Sequence, residues 1–121
     1  MTATPEASRL RQRIHQLVRE RSRLEEDVLF APQRPYRGSL LARHLGSGAA
    51  RRTSVAHYLC RREGGRLRQH HVTHALVESV RVGVEAWRAY REALSRWRAL
   101  NGEIAGLFLE LLAAQEEGFP P

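Results

Sequence analysis

The sequence contains no lysine. All 20 of its basic residues are arginine, set against 13 acids for a formal net charge of +7. A guanidinium is a rigid fork of donors that matches phosphate and carboxylate oxygens, which an ammonium is not. Cysteine is almost as scarce. Cys60 stands alone, so no internal disulfide can form, and a reducing cytoplasm is the expected compartment. No apolar run approaches the roughly 20 residues that a membrane-spanning helix needs, so no membrane partner is expected. The opening MTATPEASRLRQR has no apolar core segment, so no secretory signal is expected either. Acids are missing from one third of the chain in particular. Residues 31–72 hold nine arginines and only Glu63, a net of +8, whereas residues 1–30 carry +1 and residues 73–121 carry −2. Evenly solvated helix faces do not partition charge in that way.

What is present reads as one domain. A chain of 121 residues supports a single modest core. In its first part Thr4 is placed to cap a helix, with Pro5 at the first helical position, where a missing N–H costs nothing. Apolar residues then recur at Ala7, Leu10, Ile14, Leu17, Leu24 and Val28, alternating three and four apart and interrupted by Arg21. That spacing predicts a helix over residues 5–30 with a heptad seam. The last part, residues 73–117, repeats the pattern at greater length from a Thr73 cap. Its seam runs Leu76, Val80, Gly83, Trp87, Tyr90, Leu94, Trp97, Asn101, Ile104, Phe108, Leu111. Asn101-Gly102 reads either as a polar residue in a helix that continues, or as a break between two helices; continuity is favoured. Two such seams predict an antiparallel, coiled-coil-like pair, since the middle segment returns the chain.

Between them, residues 31–72 form a basic insert. GSLLARHLG predicts a short helix capped by Ser39 and ended by Gly46, followed by a basic loop, GSGAARRTS. VAHYLCRR and RLRQHHV flank Gly64-Gly65, the signature of a tight hairpin with positive φ at both turn positions. A two-residue loop sets Arg62 opposite Leu67, Cys60 opposite Gln69 and Tyr58 opposite His71. The expected fold is therefore mainly α: two long antiparallel helices with an inserted short helix and a small basic β-hairpin.

The order Gly38-Ser39-Leu40, Tyr58-Leu59, Gly64-Gly65-Arg66 and VESVRVGVEAWRAYREAL resembles a family of short uncharacterised bacterial and archaeal domains, over about residues 38–100. That family pairs Gly-Ser-Leu with a small Cys cluster, a Tyr-Tyr strand and a Gly-Gly-Lys/Arg turn. The resemblance implies the helix–hairpin–helix layout and a metal knuckle. Residues 46–57 of this chain, where the knuckle's cysteines would fall, contain none.

Catalytic signatures are sparse. Zinc asks for four N or S ligands, yet His70 and His71 point to opposite faces of the predicted hairpin, and Cys60 faces Gln69. HHVTH lacks the glutamate of an H-E-x-x-H hydrolase, and no glycine-rich phosphate loop opens a helix. No cofactor and no catalysis are expected. The candidate contacts are Arg34, Arg37, Arg43, Arg51, Arg52, Arg61, Arg62, Arg66 and Arg68, with DNA or RNA phosphates as partner. The alternative is a helical adaptor whose basic face meets an acidic protein. The longer C-terminal seam suggests that Ile104, Phe108 and Leu111 outrun the first helix and mediate self-association or entry into a larger complex.

Overall fold

A computed structural model of the chain describes residues 4–30, 34–44 and 55–116. Helix α1 spans Pro5–Leu24 and runs into a π-helical turn over Glu25–Leu29. Strands β1 (Ser39–His44), β2 (Val55–Glu63) and β3 (Arg66–Val72) follow, then a 3₁₀ turn at His74–Leu76 and helix α2 over Val77–Glu116. The described residues contain no helix long and apolar enough to cross a membrane. The chain divides into a helical unit, Met1–Ala31 with Glu92–Pro121, and a sheet unit, Pro32–Arg91. Helix α2 is unbroken through Asn101-Gly102 and contributes residues to both.

In the helical unit the N-terminal signals act as the sequence indicates. The Thr4 hydroxyl accepts a hydrogen bond from the Ala7 N–H at 3.0 Å, with Pro5 at the helix start. Ile14 and Leu17 of α1 bury themselves against Leu100 and Ile104 of α2, with Val18, Leu24, Leu107 and Leu111 packed around them. The two helices run antiparallel, since Arg13 meets Glu103, Arg21 meets Asn101 and Glu25 meets Trp97. Arg21 and Asn101 are the polar interruptions of their respective seams. They bond to each other, guanidinium to amide oxygen, at 2.9 Å.

The C-terminal seam is broader than expected. From Ala93 onward the buried or half-buried positions on α2 are Ala93, Leu94, Trp97, Leu100, Asn101, Ile104, Leu107, Leu111 and Ala114, so the stripe shares Leu94, Trp97, Asn101, Ile104 and Leu111 with the predicted one. Leu100 and Leu107 join it one residue before Asn101 and Phe108. Leu100 is buried, Asn101 beside it stays half-buried with its bond to Arg21, and Phe108 falls outside. Ile104 is consequently 6% exposed in the unit's own core and Leu111 packs on it, while Phe108 is 54% exposed. The surplus helix length expected to leave this seam bare is used elsewhere, because Val77, Val80 and Val84 belong to the core of the sheet unit.

Arg96 ties the helices electrostatically, with Nη2 2.9 Å from Glu20 and Nη1 3.3 Å from Glu103. The Arg96 hydrogen bond holds the Glu20 carboxyl below the usual carboxylate range, against a smaller opposing effect of desolvation. A carboxyl depressed in the folded state adds stability that is present above its unfolded pKa and lost as pH falls through the folded one. The melting-temperature gap between wild type and Arg96→Gln should therefore be open near about pH 7 and narrow towards about pH 3. A gap of constant size across that range would assign Arg96 a packing role only. The pair is nearly half exposed on both sides, so the gap should be small.

The sheet unit departs from the expected insert. Residues Ser39–His44 form strand β1, not a short helix, and pair antiparallel with β2 from Ser39↔Cys60 to His44↔Val55. The helix signal rested on local caps, and a segment of this length cannot nucleate a stable helix by itself. Pairing with β2 satisfies its backbone groups and places Leu40 beside Leu59 in a common core. The hairpin has the register anticipated for it: Tyr58↔His71, Cys60↔Gln69 and Arg62↔Leu67. Gly64 and Gly65 adopt φ of +57° and +78°, a combination that side chains disfavour. The result is a three-stranded sheet in the order β1-β2-β3.

One face of the sheet packs on the start of α2, where Leu59, Val72, Val77 and Val84 are buried with Tyr36, Leu40 and Val80 against them. Gly83 is the seam position at which Tyr36 docks. The Tyr36 N–H donates to the Gly83 carbonyl at 2.9 Å, and a Cβ on Gly83 would overlap the tyrosine ring. Thr73 makes no side-chain cap; its carbonyl instead accepts from the Leu76 N–H at 2.9 Å, closing the 3₁₀ turn.

Candidate nucleic-acid interface

The division into two units sharpens the charge asymmetry. Pro32–Arg91 contains 12 arginines against Glu63, Glu78 and Glu85, a net of +9, which leaves −2 for the helical unit. The sheet unit is thus a strongly basic body by itself.

Directly paired residues of an antiparallel ladder share a face, so the register fixes which side chains stand together. The face opposite the core carries Ser39, Leu41 and Arg43 on β1, Ala56, Tyr58, Cys60 and Arg62 on β2, and Leu67, Gln69 and His71 on β3; of these Ala56 is buried. Among the described residues that face has no carboxylate. Its centre is a cluster of three planar groups. The Arg43 guanidinium lies over the Tyr58 ring, 5.5 Å from the centroid, and the His71 ring meets Tyr58 edge-on at 5.6 Å and 76°. Leu41, 38% exposed, pairs with Tyr58, and Leu67, 67% exposed, stands opposite Arg62 further along the same face.

Beyond the end of β1, the hairpin continues as a two-stranded tip. Arg61, Glu63, Arg66, Arg68 and His70 share its other face. Glu63 is engaged there: its Oε1 accepts from Arg61 Nε at 2.6 Å and lies 2.8 Å from His70 Nε2. The Arg61 hydrogen bond, and after it that of His70, hold the Glu63 carboxyl below the usual range. Arg61 is therefore partly neutralised. Arg62, Arg66 and Arg68 are exposed and have no ion pair among the described residues.

The structure brings five of the nine sequence-nominated arginines into two places. Arg43 and Arg62 lie on the open face, and Arg61, Arg66 and Arg68 at the tip, with Arg62 bordering both. Arg34 and Arg37 are exposed on the segment leading to β1. Arg51 and Arg52, with the loop predicted over residues 46–54, lie outside the described residues. Two further arginines escaped sequence reading. Arg88 and Arg91 of α2 border a hollow of about 170 Å³ with Gly38, Ser39, Val84 and Trp87. They looked like ordinary solvated positions on an acid-bearing helix, and only β1 beside them sets them apart. Leu41 was likewise hidden by its assignment to a helix.

No three His, Cys, Asp or Glu side chains converge as metal ligands among the described residues. Cys60 is a free, half-buried thiol. Comparison with protein-family models, curated proteins and solved structures finds no match to this chain.

Proposed function

We propose that this protein is a non-catalytic nucleic-acid-binding protein, or a small subunit of a nucleoprotein complex, that holds phosphates with the arginines of its sheet unit. The observation that carries this is the unpaired set Arg62, Arg66 and Arg68 beside an acid-free sheet face, within a body of net charge +9. Exposed guanidiniums without counter-ions are the groups from which phosphates displace nothing but water and salt, and counterion release then supplies affinity. The helical unit acts as a scaffold in this role, and the cytoplasm suits its single thiol. Titrating salt against binding to generic duplex and single strands tests it: log K should fall linearly with log salt. Absence of binding at low salt would sink it.

The adaptor alternative has one observation in its favour. Phe108, Leu109 and Leu112 expose 54%, 69% and 53% on the helical unit, a surface that a second copy or a partner helix could cover. The Ile104 and Leu111 side chains are unavailable to that partner because the unit's own core uses them.

A further inference from the structure

We infer that the open sheet face binds the bases of an unpaired strand, which stack on the Arg43–Tyr58–His71 cluster while neighbouring arginines hold the phosphates. The inference rests on the nucleic-acid role proposed above and specifies the form of the ligand.

Three features lead there. First, bases stack on aromatic rings and on guanidinium planes alike, and this face joins both kinds: Arg43 over Tyr58, with His71 against its edge. Second, Leu41 and Leu67 are exposed on the same face. A duplex backbone, which presents charge and sugar, gives an exposed leucine nothing to cover it, whereas an unpaired base offers an apolar face. Third, the width is wrong for a groove. A major groove about 12 Å across admits a helix or a two-stranded ribbon. Here three strands at about 4.8 Å spacing carry side chains beyond both outer backbones, and α2 backs the sheet. Only the two-stranded tip fits a duplex groove, and the cluster lies outside it, between β1 and β3. Bases reach the cluster only when they are free of a partner strand.

The distribution of charge suits such a strand. Along β2, Arg62 stands four residues from Tyr58 on the same face, about 13 Å at strand spacing. Arg43 lies at the ring itself. A strand crossing the sheet would thus have a base at the cluster and cations ahead of it.

The test uses the full chain at one salt concentration with three labelled nucleic-acid probes and labelled polyglutamate: the three are an oligothymidine strand of about 12 nucleotides, a common single-strand site size, an abasic strand with the same number of phosphates, and a duplex of equal length. Fluorescence anisotropy should give the thymidine strand at least about fivefold tighter binding than the abasic one, the lower end of what one stacked base contributes. Tyr58→Leu should erase that gap without weakening abasic binding, and Tyr58→Phe should keep it. Should Tyr58→Leu fail to fold, the wild-type comparison of thymidine with abasic strand decides alone. Equal affinity for those two strands would overturn stacking while leaving phosphate binding intact. No binding to any of the three at low salt would remove the nucleic-acid role as well. Polyglutamate binding as tightly as oligothymidine would overturn the inference in favour of an acidic protein partner.

Discussion

Replacing Arg62, Arg66 and Arg68 together with glutamine should cost roughly a hundredfold or more in nucleic-acid affinity at about 0.1 M salt. Each phosphate contact adds about 0.9 to the slope of log K against log salt on duplex DNA. Loss of three contacts should flatten the slope by up to about 2.7 units, and extrapolation from 1 M gives the affinity change. The loss should be similar for unrelated sequences, since phosphates carry no base identity. Arg61 is left in place because Glu63 already engages it. The glutamines leave the Gly64-Gly65 turn untouched, so the sheet should persist by circular dichroism. The matched control is Arg9, Arg19 and Arg23, all exposed in the helical unit and without ion pairs among the described residues. Arg96 would be a poor control because it joins Glu20 to Glu103. Arg88 and Arg91 would be poor ones too, since they belong to the basic unit. Equal losses in the two variants would mean that attraction is diffuse and the hairpin no more than a basic turn. Retained affinity in the triple variant, with loss of a protein partner instead, would favour the adaptor.

Leu100→Ala should be the most damaging single truncation, at about 2–5 kcal/mol in chemical denaturation. Leu100 is fully buried and faces Leu17, which is 1% exposed, with Ile14 and Ile104 completing the cluster. Truncation leaves a void bounded by side chains from two rigid helices that cannot close on it. Phe108→Glu, two turns further on, should change stability by less than about 0.5 kcal/mol, as ordinary surface substitutions do, because its ring is mostly in water. The pair of variants separates two roles for this end of the helix. If Phe108→Glu converts a concentration-dependent dimer to monomer in sedimentation, the exposed stripe is an interface. If it unfolds the protein while Leu100→Ala does not, the seam assignment is wrong.

Much of this architecture was legible in the chain, for reasons that differ by element. The hairpin was read to the residue because Gly64-Gly65 admits one loop length, and loop length dictates every pair from Glu63↔Arg66 to Tyr58↔His71. The α1 seam was equally plain, since only one stripe of that helix is apolar. On α2 the covered stripe is broader than one seam, and which of Leu100 and Asn101 lies deeper belonged to the partner helix, so periodicity alone could not decide it. β1 is hidden because Ser39 and Gly46 imitate helix caps, whereas the strand depends on partners 11 to 21 residues away. The site shared this fate. Arginine density was visible at once, but the open face needs β1 to supply Arg43 and Leu41, and with β1 assigned as helix there was no face to describe.

The 40 residues of α2 have an uneven consequence for how tightly its amides are protected from exchange with water. Buried side chains anchor it at Val77 and Val84 and again from Ala93 to Leu100. The eight residues between, Glu85–Glu92, include none that is buried. Opening of a helix amide costs what the local packing makes it cost. Deuterium uptake should therefore reveal two slow blocks within one uninterrupted helix, separated by a faster stretch around Trp87–Arg91. Leu100→Ala should speed exchange in the second block far more than in the first, since each block draws its protection from a different core.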